Sequence, residues 1–474
     1  MPRKTCTHIL ATIGPSSASE EKISALIDAG ADAFRFNFSH GTHKEHKQRL
    51  NIVRKLSKQK GLHIAVVADM QGPKLRVGEF KDGKVLLREG QQFVLDMKNE
   101  LGTKDRVTLP HKEIFAAIKA GDELLLNDGN IVLEIISKTN NSAVTKVKVG
   151  GELSSHKGVN LPNIKLPISA ITEKDREDLK FALKQGVDWV CLSFVQSADD
   201  VREARELIGD KALIISKLEK PSAITELDEI IRLSDGIMVA RGDLGVECPL
   251  QTVPVLQKKI VNACRRLARP VIVATQMLES MIEKPTPTRA EVSDVATAVY
   301  DGCDAVMLSA ETAAGKYPVE AVKMMSNIIT QVEADPLFFQ YMKKAQESSC
   351  CVGEADSITY AASEISKVLD KVAGVVTYTS SGKTTFLIAR ERPNIPIIAV
   401  TPEEKVACQL ALVWGARPFI KKSHFSSFAK FEDNAVKIAL DSGFAHHGDH
   451  IIITGGFPLG VKGRTNILHT VHIK

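Results

Sequence analysis

Two short strings in this chain carry charge at a spacing that can do chemistry. Ile214-Ile215-Ser216-Lys217-Leu218-Glu219 is an apolar run ending in a cation and a carboxylate, and Met238-Val239-Ala240-Arg241-Gly242-Asp243 is a second such run ending in Asp243. On an extended strand, side chains at i and i+2 share a face, so Lys217 and Glu219 point the same way. A cation beside a carboxylate, with a second carboxylate arriving from the next run, can hold Mg²⁺ against an anionic substrate. The same charges also suit a solvated ion cluster at a strand end, and the pattern alone leaves both readings open. A third string alternates Arg35, Asn37 and Ser39 with Phe34, Phe36 and Phe38. It is either an amphipathic strand with one wet face or a second set of polar groups for a site.

These residues need a frame that brings strand ends together. Eight short β-branched runs end in polar residues: His8–Gly14, Ala33–His40, His63–Met70, Trp189–Val195, Ala212–Glu219, Gly236–Asp243, Pro270–Met277 and Asp304–Thr312. Helical patterns separate most of them, such as Ala18–Ala29, His43–Lys60, Lys174–Gln185 and Thr252–Ala268. Strand–helix alternation of this kind predicts a (β/α)₈ TIM barrel over residues 1–70 and 166–340, with its site where the strands end. Those ends carry Arg35, Asn37, Ser39, Asp69, Lys217, Glu219, Arg241, Asp243, Thr275 and Glu311.

The alternation breaks over residues 71–165, where short alternating runs and turn residues predict a small all-β lid domain inserted at the site face. Asp82-Gly83 and Asp128-Gly129 read there as hairpin turns. Gln71-Gly72-Pro73 and Leu161-Pro162 suit its hinge ends. After the polar stretch Lys343–Asp356, residues 341–474 predict a C-terminal open α/β domain, with strands at Gly374–Thr379, Ile395–Val400, Pro418–Lys421 and His450–Thr454.

Composition narrows the class. The chain has 474 residues, 44% hydrophobic and 25% charged, with a net charge of +5. Basic blocks with interleaved aromatics are absent, so no nucleic-acid partner is expected. No apolar run approaches the roughly 18 residues of a membrane helix, and the opening residues lack a signal-peptide core, so the expectation is a cytoplasmic protein without a membrane partner. The eight cysteines, including the adjacent Cys350-Cys351, form no CxxC and read as reduced thiols. His446-His447 and His450 read as a solvated loop in preference to a zinc site.

Seven strings, in order, resemble the pyruvate kinase family over essentially the whole length. They are Ala11-Thr12-Ile13-Gly14-Pro15, Arg35-Phe36-Asn37-Phe38-Ser39-His40-Gly41, Asp69-Met70-Gln71-Gly72-Pro73-Lys74-Leu75-Arg76, Lys157-Gly158-Val159-Asn160-Leu161-Pro162, Ser216-Lys217-Leu218-Glu219, Ala240-Arg241-Gly242-Asp243-Leu244-Gly245 and Ala274-Thr275-Gln276-Met277-Leu278-Glu279-Ser280-Met281. The resemblance implies the last step of glycolysis, in which phosphoenolpyruvate and ADP give ATP and pyruvate through an enolate. It implies that Glu219 and Asp243 ligate Mg²⁺, with Mn²⁺ able to substitute. Lys217 and Arg35 would neutralise and grip the moving phosphoryl group, and Gly242 and Asp243 would hold the substrate carboxylate. Thr275 would lie near the enolate carbon and order a water. Asn37, Ser39, Asp69 and the Met70 carbonyl would form a monovalent-cation pocket, while His40, Arg76 and Lys157 would meet the nucleotide phosphates.

Lys74 departs from the family pattern, which often has Glu at this position accompanying a bound K⁺. An ammonium supplies the same charge, so K⁺-independent activity is expected. Thr379-Ser380-Ser381-Gly382-Lys383-Thr384 joins a strand to a helix and offers hydroxyls and N–H groups to an anion. It is no Walker A loop, because Thr377 stands where Gly is required. The family places a sugar-phosphate effector at this loop. The region between Lys421 and Lys437 lacks the fructose-bisphosphate anchors, and Thr454–Gly460 is only partly similar, so another phosphorylated activator is expected, such as a sugar monophosphate or AMP. The family is commonly a homotetramer. Two other readings are a silent relative retained for metabolite binding, which should have lost one of Arg35, Lys217, Glu219, Asp243 or Thr275, and an Mg²⁺-dependent aldolase, which leaves the lid unexplained.

Overall fold

The computed structural model describes residues 5–162, 164–346, 353–422, 427–457 and 464–474. Cys350, Cys351, much of Lys343–Asp356, four positions between Lys421 and Lys437, and part of Thr454–Gly460 lie outside the described residues. Eight parallel strands close into a barrel: His8–Thr12, Ala33–Asn37, Ala65–Asp69, Trp189–Leu192, Leu213–Leu218, Gly236–Ala240, Val271–Ala274 and Ala305–Leu308. Each is a mostly apolar and mostly buried run, as a strand covered on both faces must be, with polar residues such as Arg35, Asn37 and Lys217 towards its C-terminal end. Register brings the polar ends level: Thr12 pairs with Arg35, Asn37 with Asp69, and Asp69 with Cys191.

The helices start where the sequence supplies caps. Thr42 and Glu45 form a capping box at His43–Lys60, which ends at Gly61 in the left-handed region with φ 63°. Thr172 and Asp175 do the same for Glu173–Lys184. Strands stop earlier than hydrophobicity suggests. The second ends at Asn37, and the chain turns through Phe38 and Ser39 because Asn37 Oδ1 accepts the Ser39 N–H at 3.1 Å. Ser39 therefore does not continue the strand face shared by Arg35 and Asn37. The sixth strand ends at Ala240, and Arg241–Glu247 is already helical.

Between the third and fourth barrel strands, a six-stranded and a two-stranded sheet enclose one apolar core that includes Phe80, Phe93, Phe115, Leu124 and Leu153. Asn127, Asp128 and Gly129, all at positive φ, turn Glu123–Leu126 into antiparallel Ile131–Lys138. Asp82-Gly83 makes a turn but no hairpin, because the following strand, Lys84–Leu87, pairs with the distant Gly151–Ser154. The last unit is a five-stranded sheet ordered Ala416–Ile420, Ile397–Thr401, Val372–Tyr378, His450–Gly455 and Ile467–His472. Its antiparallel edge strand, Ile467–His472, escapes the sequence reading because only Ile467, Leu468 and Val471 are apolar and His469, Thr470 and His472 break the run on a half-exposed edge. The six described cysteines are free thiols, and no described helix is long and apolar enough to cross a membrane.

Candidate active site

At the C-terminal mouth of the barrel a charged network is buried where core residues would otherwise sit. Asp69 ends the third strand and is 1% exposed. Its Oδ2 accepts Arg35 Nε at 2.6 Å, and its Oδ1 lies 3.6 Å from Lys217 Nζ. Arg35 also donates from Nη1 to Thr12 Oγ1 at 3.2 Å, and its Nη2 has no hydrogen-bond acceptor among the described residues. Lys217 donates to Ser193 Oγ at 2.9 Å and stands 2.9 Å from Glu219 Oε1. Ser193, just past the fourth strand, donates in turn to the Met70 carbonyl at 2.7 Å.

Burial alone would raise the Asp69 carboxyl, but Lys217 and Arg35 outweigh it and hold it below the usual carboxylate range. Burial would likewise lower the Lys217 ammonium, and Asp69 and Glu219 more than offset it, so Lys217 stays charged. Glu219 behaves differently. Burial pushes it up to about 7, with Asp243 adding to the rise and Lys217 opposing it. Glu219 is fully buried; Oε2 accepts the Phe194 N–H at 2.8 Å, while Oε1 lacks any hydrogen bond of proper geometry. The half-buried Asp243 carboxylate enters no hydrogen bond or ion pair among the described residues.

Glu219 Oε1 and Asp243 fit a hard divalent cation, since Asp243 is unpaired among the described residues and Glu219 Oε1 has the Lys217 ammonium beside it but no hydrogen bond of proper geometry. No three acidic, His or Cys side chains converge among the described residues. Protein ligands beyond this pair would be neutral oxygens, and the remaining positions fall to substrate and water.

Thr275 follows the seventh strand with φ 69°, an unusual conformation for a β-branched residue. Two sets of hydrogen bonds fix it. Arg241 Nη2 donates to its carbonyl at 2.7 Å while Arg241 Nη1 binds Asp294 at 2.6 Å, and Thr275 Oγ1 accepts the Gly242 N–H at 2.7 Å. The Gly242 N–H expected to face a substrate carboxylate is thus engaged by Thr275. Asp243 N–H remains in the first turn of Arg241–Glu247.

The lid brings Arg76 and Lys157 together, because Arg76 bridges Gly158 antiparallel and its Nη1 donates to the His156 carbonyl at 2.8 Å. His40 is exposed at the barrel rim, its carbonyl accepting from His46 Nε2 at 2.9 Å. Lys74 reaches the cleft under the lid, where its Cε stands 3.9 Å from the place a Cβ on Gly158 would take. Arg35, Lys217 and Ser193 surround Asp69 and Met70, and Lys74 lines the cleft under the lid with Gly158, Asn160, Lys220 and Asp243.

The Thr379–Thr384 loop is largely self-satisfied. Thr379 Oγ1 accepts the Gly382 N–H at 2.9 Å, and buried Thr384 pairs with Thr465 at 2.8 Å. Those groups are engaged within the fold, while Ser380, Ser381 and Lys383 remain at the surface. His450 Nδ1 contacts the Asp370 carbonyl at 3.1 Å, in keeping with a structural role for that histidine. Sequence reasoning missed Ser193 and the buried pair Lys220–Glu247. Lys220 extends the charged strand end at Glu219, but Ser193 and Glu247 carry no such local signal, and only their partners reveal them.

Two family models match the chain, pyruvate kinase barrel domain over residues 3–322 and pyruvate kinase alpha/beta domain over residues 356–471. A pyruvate kinase of Methylorubrum extorquens is 46% identical over 473 residues, covering 100% of this chain and 98% of that protein. One from Geobacillus stearothermophilus is 44% identical over 481 residues, covering 100% of this chain and 81% of its own. The crystal structure of a pyruvate kinase from Cryptosporidium parvum superposes with a TM-score of 0.94 at 33% identity, over 99% of this chain and 96% of the other.

Proposed function

The chain belongs to the pyruvate kinase family and is a phosphotransferase, and we propose that it moves the phosphoryl group of phosphoenolpyruvate to ADP at the mouth of its barrel. The observation that carries this reading is the buried group of Arg35, Asp69, Lys217 and Glu219, with Asp243 beside it. Two cations held by the buried Asp69 carboxylate stand with two further acidic groups, Glu219 paired to Lys217 and Asp243 unpaired among the described residues. Such a cluster suits a reaction in which negative charge moves from one oxygen to another.

Mg²⁺ or Mn²⁺, held by Glu219 and Asp243, would screen the phosphate and the enolate oxygen. The protein supplies the rest. Arg35, anchored through Nε and Nη1, directs Nη2 at the transferring phosphate. Lys217 neutralises charge as the bond from phosphorus to the enol oxygen breaks and a β-phosphate oxygen of ADP bonds to phosphorus. The enolate left behind takes a proton at its methylene carbon, giving pyruvate. Thr275 sits at that side of the mouth, and its hydroxyl, already donating to the Ala274 carbonyl at 2.6 Å, orders a water more readily than it gives up a proton. Arg76 and Lys157 serve the nucleotide from the lid, and Mg²⁺ with nucleotide favours lid closure.

Two finer readings accompany this one. Lys74, under the lid, supplies the positive charge that K⁺ would, so the enzyme works with tetramethylammonium in its place; loss of most activity in that salt would contradict this. Ser380, Ser381 and Lys383 bind the phosphate of a small activator. Titrating candidate phosphorylated metabolites against substrate saturation tests it, and saturation curves unmoved by all of them would remove it. For the transfer itself, Lys217→Met tests the assignment: ATP formation at near the wild-type rate would show that Lys217 is not part of the reaction.

A further inference from the structure

Under the lid lies an ion pair that the transfer reaction does not use. Lys220 follows Glu219 directly, and its Nζ is 2.7 Å from Glu247 Oε1, with side chains 9% and 0% exposed. Glu247 is the last residue of the helix Arg241–Glu247, one turn beyond Asp243. The same Glu247 oxygen accepts Asn160 Nδ2 at 2.8 Å. Asn160 closes the lid's last strand, Val159–Asn160, just before the chain returns to the barrel. The lid meets the helix again at the turn after Glu123–Leu126, where a Cβ on Gly129 would stand 3.7 Å from Val246 Cγ1. Lys220, Asn160 and Asp243 all line one cleft.

A buried ion pair is a poor source of stability, because removing both charges from water cancels most of their attraction. This one is also incompletely satisfied, since Glu247 Oε2 is buried without a hydrogen bond. What it does supply is fixed geometry. One oxygen joins the residue after Glu219, the helix that carries Asp243, and the lid's exit strand. From this geometry we infer that Lys220 and Glu247 are positioning residues that set the two acidic groups against each other, and that Asn160 ties their spacing to the lid. The inference rests on the assignment of Glu219 and Asp243 to the divalent cation.

Second-sphere partners of this kind change metal affinity about 10- to 100-fold. The test is Mn²⁺ binding to the whole protein without substrates, read from the electron paramagnetic resonance signal of free Mn²⁺, beside thermal unfolding. Lys220→Met and Glu247→Gln should each weaken Mn²⁺ binding by about that factor. The double variant Lys220→Met/Glu247→Leu, which leaves no buried unpaired charge, should recover the wild-type melting temperature while Mn²⁺ binding stays weak. Recovery of both would mean the pair only holds the fold, and would overturn the inference. Asn160→Ala should keep Mn²⁺ affinity within about twofold but lose the tightening that ADP produces, since coupling through the lid is reciprocal; undiminished tightening would overturn that part. Glu219→Gln and Asp243→Asn serve as references. Wild-type Mn²⁺ binding by those two sinks the site assignment itself, whereas their loss alongside wild-type binding by the Lys220/Glu247 double variant sinks only the positioning role.

Discussion

The barrel mouth and the Thr379–Thr384 loop both gather polar side chains at the C-terminal ends of parallel strands, yet they resolve them in opposite ways. In the loop, the fold uses its own groups on one another: Thr379 with Gly382, Thr384 with Thr465, and Thr377 with Thr385 at 2.8 Å. At the mouth, buried Glu219 Oε1 has only the Lys217 ammonium beside it and no hydrogen bond of proper geometry, half-buried Asp243 has no partner among the described residues, and Arg35 Nη2 has no acceptor among them. Buried polar groups are normally satisfied, so a cluster that is not marks where the molecule waits for a ligand. The loop shows how a motif of similar composition can be mostly structural.

Substitutions that sharpen this contrast should have very unequal effects. The largest is expected for Lys217→Met, which removes the cation between two buried acids; kcat should fall by at least about 10²- to 10³-fold, as for loss of a transition-state donor. A stopped assay with phosphoenolpyruvate and ADP checks it. Arg35→Lys should follow, because an ammonium cannot hold Asp69 and Thr12 and still direct a nitrogen at phosphate; the loss should appear in kcat/KM.

Thr275 gives an intermediate case. Thr275→Ser keeps the hydroxyl that accepts the Gly242 N–H and should hold activity within several-fold. Thr275→Val removes it from a residue already at positive φ, and should cost both activity and about 1 kcal/mol of stability in thermal unfolding. The smallest effects belong to the loop. Thr384→Val should lower stability by about 1 kcal/mol through its buried partner Thr465 and leave kcat unchanged. Ser380→Ala with Ser381→Ala should leave both stability and basal kcat alone and blunt only the response to a phosphorylated activator.

Acidity offers a further way to break the comparison. Glu219 has a folded pKa of about 7, above its ordinary value of 4.5. The folded protein therefore holds this proton more tightly than the unfolded chain. Without metal, its contribution to stability is present below pH 4.5 and is lost as pH rises to about 7. A divalent cation needs the ionised form, so Mn²⁺ binding should weaken as pH falls through about 7, and whatever weak binding Glu219→Gln retains should lack that dependence. Titrations at several pH values decide it.

Much of this was legible in the residues. The eight barrel strands stand out because each is a continuous apolar run between amphipathic helices, and all eight enter one closed sheet. The strand-end charges Arg35, Asp69, Lys217 and Glu219 converge because parallel strands in register must end together. Pattern failed where side chains override it. Asn37 turns the chain before Ser39, and Thr275 takes the Gly242 N–H that a backbone argument assigns to substrate. Ser193 and Glu247 acquire meaning only through partners 24 and 27 positions away, at separations no local pattern encodes. Asp82-Gly83 departs from its hairpin reading for the same reason, since the strand after it, Lys84–Leu87, pairs with the distant Gly151–Ser154.

The most direct test is a crystal structure with Mn²⁺ and oxalate, an enolate mimic, with the metal located by its anomalous signal. The account predicts one strong peak within bonding distance of Glu219 Oε1 and an Asp243 carboxylate oxygen, with Lys217 facing the oxalate. A peak elsewhere in the molecule, with both carboxylates unligated, would contradict it.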